Sequence, residues 1–150
     1  MRGYTLIELT VSLSVIAILA AIAIPEWRAS TMNILVARRM VLANLRLGRS
    51  NAITKSVHYQ VSFDASHVVL SAMYQSPAGS GNWVVSTTNV QTSPLPAGTQ
   101  VSQAAQSTVV EFNTRGMVVN ATTMKQISLT DSFNNTKSLQ VWPSGQMNEI

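Results

Sequence analysis

From Tyr4 to Ile24 the chain runs for roughly 20 residues with one ionisable side chain, Glu8, before it reaches Pro25; at about 1.5 Å per residue a helix of that length covers roughly 30 Å, the thickness of a bilayer core. Such a stretch limits what the rest of the chain can be. It is too long for the apolar segment of a secretory signal peptide, about 7–15 residues ending at a small-residue cleavage site, and Ala20-Ala21-Ile22-Ala23 leads into more helix-forming sequence. A plain membrane anchor explains the length but not Glu8, because a charge at the centre of a span costs about 2.5–3.5 kcal/mol even on lenient scales. A carboxylate kept there implies a cation brought to it by another group.

The order of features, Met1-Arg2-Gly3, then Tyr4-Thr5-Leu6-Ile7-Glu8, the apolar run and Pro25, resembles the type IV prepilin signature. The resemblance implies that a prepilin peptidase cuts after Gly3, removes the leader 1–3 and methylates the new amino terminus at Tyr4. It also implies that Glu8 pairs with the terminal amine of a neighbouring subunit, with Glu8 and Pro25 as assembly residues. Tyr4 departs from the family's usual Phe; it keeps the ring and adds a hydroxyl.

Of the 150 residues 46% are hydrophobic and 11% charged. With the apolar run set aside, roughly 125 remain, enough for one modest core beneath a surface of Ser, Thr, Asn and Gln. The absence of cysteine excludes a disulfide and a thiolate metal site. Net charge is +4, but Arg28, Arg38, Arg39, Arg46, Arg49 and Lys55 fall in one interval, and only Arg115, Lys125 and Lys137 follow.

Glu26 to Thr54 contains no further proline and keeps a helical period, so it reads as a continuation of the first helix past a kink at Pro25. Ile34, Val41, Leu45 and Ala52 form a core-facing stripe. Arg38, Arg39, Arg46 and Arg49 share an arc beside it, interleaved with Leu35, Leu42 and Ile53, which suits contact with protein more than with a polyanion. Gly48 weakens the helix by about 1 kcal/mol relative to Ala and marks a close contact or a flexible point.

From Val57 the period becomes two. Val57, Tyr59, Val61 and Phe63 alternate with polar residues, Asp64-Ala65-Ser66 is a turn, and His67 to Tyr74 returns. Gln75 to Asn82 is a loop, Trp83 to Val90 a strand, and Ser93 to Gly98 a second, exposed loop. Ser107 to Phe112 and Met117 to Asn120 read as strands around the turn Asn113-Thr114-Arg115-Gly116. Lys125 to Thr130 and Lys137 to Trp142 are strands around Asp131 to Asn135. The expected fold is α+β and pilin-like. A helix that spans the membrane over 4–25 and packs on the head over 26–55 carries an antiparallel β-sheet head over 56–150, with six or seven strands.

Leu42 to Ile53 with the following strand, and Leu139-Gln140-Val141-Trp142-Pro143-Ser144-Gly145-Gln146, resemble the helix-to-sheet junction and terminal Ser-Gly turn of the GspH/FimT group of minor pilins and pseudopilins. This implies a subunit of the bacterial inner membrane, head in the periplasm, that passes with other pilins through an inner-membrane assembly platform into a filament, at or near its tip. Inner-membrane lipid and the prepilin peptidase are the other implied partners. A type II secretion pseudopilin and a pilus-associated DNA receptor stay open. Against the receptor, Gln146-Met147-Asn148-Glu149 carries no cation where DNA-binding members of the group have arginines; Arg38, Arg39, Arg46, Arg49, Arg115, Lys125 and Lys137 are the residues left to contact DNA or another partner.

No enzyme motif is present. His58 and His67 flank Asp64 without a ligand or acid/base pattern, and no cofactor or metal is implied. Trp27, just past Pro25, suits a membrane interface. Trp83 and Trp142 read as strand-packing residues ahead of a stacking platform for nucleic acid.

Overall fold

One helix, α1 (Leu6–Lys55), supplies 50 residues of the architecture and packs on strands of both sheets of the head. In the computed structural model residues 5–102 and 109–150 are described, with the side chains of 23–31 outside the description. Thr5 caps the start of α1 with an extended backbone (φ −77°, ψ 151°) and a side chain that accepts from Glu8 N. The end is a left-handed Ser56 (φ 51°), with Lys55 complementing the C-terminal dipole. The helix assignment continues without a break through Pro25.

The strands are β1 (Tyr59–Phe63), β2 (His67–Gln75), β3 (Trp83–Pro94), β4 (Thr99–Ser102), β5 (Val109–Phe112), β6 (Lys125–Asp131), β7 (Thr136–Val141) and β8 (Met147–Glu149). They form two four-stranded antiparallel sheets in the orders β3-β2-β1-β5 and β4-β6-β7-β8. Alternation sets the buried faces. Val61 lies opposite Leu70 on one side and Val110 on the other, and Ile127 opposite Leu139, all buried. The helix stripe Ile34, Val41, Leu45 and Ala52, joined by Ala37, is sealed against both sheets in one core. Each fully buried Leu, Ile, Val or Phe contributes about 1.5–3 kcal/mol.

Gly48 marks a close contact. A Cβ built there would stand 2.9 Å from Val61 Cγ2 and 3.1 Å from Leu70 Cδ1, so glycine lets the helix lie down on β1 and β2. Turns follow the residues that favour them. Asn113 Oδ1 accepts from the backbone of Arg115 and Met117, and Asp131 Oδ1 from that of Phe133 and Asn135.

Several expectations are corrected. The head has two sheets, because β4 pairs with β6 and not with its sequence neighbour β3. β4 and β8 fall outside the strands that the sequence pattern predicts. Met117 to Asn120 is no strand: Val118 makes a single bridge to Phe112, its N–H donates to Pro143 O, and Asn120 turns at φ 53°. β3 extends to Pro94, and the loop beyond it is tied down. Leu95 is buried, its N–H donates to Ser66 O, and Asn33 Nδ2 donates to Ala97 O. Trp142, expected to pack within the strands, is 41% exposed. The start of the Ser107 to Phe112 strand, 107–108, lies outside the described residues.

Within β3 the register jumps. Met73 pairs with Val85 and Ser71 with Val90, so 86–89 bulge out against Ala72 alone.

Candidate functional site

The amino-terminal half of α1 presents apolar side chains to its surroundings: every side chain from Leu6 to Ile22 is exposed. Its hydroxyls turn inward on the helix, Thr10 Oγ1 donating to Ile7 O, Ser12 Oγ to Glu8 O and Ser14 Oγ to Thr10 O at 2.8–2.9 Å. They therefore add no unmet polar group to the surface. Glu8 is the exception. Its Oε2 accepts from both the N–H and the Oγ1 of Thr5 at 2.9 Å, closing the capping box and pointing the carboxylate back toward the amino terminus. Gly3 and Tyr4 lie outside the described residues, and the side chains of Pro25, Trp27 and Arg28 likewise. Among the described residues no helix is long and apolar enough to cross a membrane; the described side chains of α1 stop at Ile22 and resume at Met32.

Apolar exposure continues along the half of α1 that carries the head. Met32 (63%), Val36 (46%), Ala43 and Leu47 (40%) fall on the side opposite the buried stripe. The helix thus has one side filled by its own sheets and one open side, where these apolar residues stand beside the exposed Arg39, Arg46 and Ser50.

The four arginines expected to share an arc separate into two pairs. Arg39 and Arg46 are exposed, whereas Arg38 and Arg49 are drawn onto the end of the chain. Arg38 Nη2 lies 2.6 Å from Glu149 Oε2, and Arg49 Nη2 donates to Ser144 O at 3.4 Å. The Nε atoms of both are buried without a partner among the described residues. Gly145 and Gly116, both at positive φ, admit the Arg49 guanidinium: a Cβ at either would come within 2.9 or 3.1 Å of Nε. Arg46, Arg49, Ser50 and Ile53 then face Gly145 and Gln146 across a cleft of about 450 Å³. Helix arginines thereby reach the terminal turn that carries no cation of its own.

The later cations do not gather. Arg115 is exposed on the turn that ends in Gly116. Lys125 and Lys137 sit at opposite ends of the β6–β7 ladder, with the Ile127–Leu139 pair between them. Lys125 Nζ donates to Val109 O at 2.9 Å; burial pulls its pKa below the ordinary lysine value and nearby Glu111 raises it.

His58 and His67 have different neighbours. His58 Nδ1 is 2.7 Å from Glu111 Oε1, and its ring stacks on Trp83 at 3.9 Å, while His67 Nδ1 contacts Ser66 Oγ. Among the described residues no cluster of three acids, histidines or cysteines could hold a metal.

Residues 1–24 match the family model of the prokaryotic N-terminal methylation motif. The chain carries a prepilin-type amino terminus. The type IV minor pilin FimU of Pseudomonas aeruginosa PAO1 is similar in structure, with TM-score 0.60 at 12% identity over 78% of this chain and 87% of that one. A second crystal form of FimU gives 0.55 at 11% identity over 77% and 91%. The minor pseudopilin EpsH from the Type 2 Secretion System of Vibrio cholerae gives 0.51 at 14% identity over 77% and 94%. At these identities the shared property is the fold, a helix on antiparallel sheets. No curated protein sequence matches the chain.

Glu149 is the sequence signal for the arginine contacts that the helical wheel missed. It is the one acid after Asp131, and a lone acid near the end of a chain with unmatched helix arginines is a reasonable partner for one of them.

Proposed function

We propose that this prepilin-type chain is a minor pilin-like structural subunit without enzymatic activity. It is held in the inner membrane by 4–25 with its head in the periplasm, is cut after Gly3 by a prepilin peptidase and N-methylated at Tyr4. It then passes with other pilins through the assembly platform into a pilus, in the initiation or tip complex. The observation that carries this reading is the set of exposed apolar side chains on α1, over Leu6 to Ile22 and again at Met32, Val36 and Leu47, with Glu8 the one carboxylate among the described side chains of those stretches. An apolar surface of that length needs a cover, first lipid and then the helices of neighbouring subunits. Glu8 supplies the polar fix for register, since a desolvated carboxylate gains most from a cation on another chain. Glu8→Ala, expressed in a cell lacking the wild-type copy, tests it: the variant remains in the membrane and is lost from sheared filaments. Normal incorporation of the variant counts against the mechanism.

The likeness to EpsH supports the same subunit acting in a type II secretion pseudopilus; neighbouring genes for a pilus motor or for a secretion system decide between the two. A DNA-contacting role is favoured by one observation, the placement of Arg46 and Arg49 beside the Gly145 turn, with Arg115 on the adjoining turn. DNA affinity of the full chain should then fall steeply with salt and drop in Arg46→Ala/Arg115→Ala. No gel shift at low salt removes that role.

A further inference from the structure

We infer that the flank of the head built from the end of α1, β2 and β3 binds a neutral oligosaccharide. Two hollows, of about 550 Å³ and about 570 Å³, meet there at Val57, Met73 and Tyr74, each within the size range of ligand pockets. Asn51, Asn89 and Gln91 line the first, together with the hydroxyls of Ser86 and Thr88. The rings of Trp83 and Tyr74 line the second, beside Gly79. Among the lining residues Lys55 carries the one charge, and its Nζ is already committed to Tyr59 Oη at 3.0 Å.

The chemistry selects the ligand. Asn51, Asn89 and Gln91 make no side-chain hydrogen bond to any described residue. A carboxamide both donates and accepts, which matches adjacent hydroxyls on a sugar ring. A sugar also has an apolar C–H face, and an aromatic ring covers it. A polyanion would meet a single cation here, Lys55, and a cationic peptide would meet no carboxylate among the lining residues. An uncharged peptide adding to the sheet as an extra strand meets a broken edge, because 86–89 bulge out of the β3 ladder.

The aromatic platform is held in place before any ligand arrives. Trp83 stacks on His58 with an interplanar angle of 7°, and Glu111 fixes the His58 ring through Nδ1 at 2.7 Å. The bulge is fixed too, by the Ser86 Oγ to Thr88 Oγ1 contact at 3.1 Å. Preorganised groups of this kind lower the ordering cost that otherwise defeats a weak ligand.

Saturation-transfer NMR on the full chain in a detergent without a sugar head group tests the site, using chitotriose, cellotriose, maltotriose and a neutral Thr/Asn-rich peptide as probes. At least one trisaccharide should bind with a Kd on the order of 1 mM. The double variant Asn89→Ala/Gln91→Ala, at exposed positions, should weaken it about tenfold or more, as should Trp83→Ala, while Arg46→Ala leaves it unchanged. The inference is overturned if no trisaccharide binds, if binding survives the double variant intact, or if the peptide alone binds.

Discussion

Arg38 on α1 reaches Glu149 on β8 at 2.6 Å, so the final strand of the chain is fastened to its first helix. β8 is only three residues long, pairs with β7 alone and packs Met147 against the core, so the ion pair adds a third hold. The chain has no cysteine, so no disulfide fastens this strand.

A double-mutant cycle on Arg38→Gln and Glu149→Gln should give a coupling energy of about 0.5–1 kcal/mol, the scale of a partly exposed pair. Chemical denaturation of the four proteins measures it. Additive effects would mean that the contact holds nothing.

Replacing Gly48 by Ala should destabilise the head, although Ala is the better helix former by about 1 kcal/mol. The added methyl meets Val61 and Leu70, both buried, and overpacking of a filled core costs about 1–3 kcal/mol. The net loss expected is up to about 2 kcal/mol by thermal or urea unfolding.

Lys125 gives the head a signed pH dependence. Burial makes its folded pKa lower than the ordinary 10.5, so below that value the unfolded chain holds the proton more readily. Its contribution to stability therefore rises with pH through the window between the folded value and 10.5. In Lys125→Met this rise should vanish from urea denaturation curves taken across the alkaline range.

Much of this was legible in the residues. Ile34, Val41, Leu45 and Ala52 recur at a helical period because one face must be buried, and Val61 and Phe63 alternate because a half-buried strand requires it. Glu8 in an apolar run announced the amino-terminal motif. Thr99–Ser102 and Met147–Glu149 were not legible, being short and fixed as strands only by the partners beside them, β6 and β7. Met117 to Asn120 has the composition of a strand, yet Val118 spends its N–H on Pro143 and cannot continue a ladder. The wheel placed Arg38 and Arg49 on one arc with Arg39 and Arg46. It could not say that the terminal turn folds back over two of the four, because that depends on contacts far apart in sequence.

The open side of α1 carries the central claim, and an inserted thiol reads it directly, since no native cysteine competes. Val36→Cys lies on the open apolar stripe and Thr87→Cys on the exposed bulge of β3. Alkylation of each is measured in membranes and in sheared filaments. Both thiols should react in membranes, and in filaments Val36→Cys should be protected while Thr87→Cys still reacts. Equal reactivity of Val36→Cys in the two fractions, or absence of the chain from filaments altogether, would contradict a helix built to be covered by its neighbours.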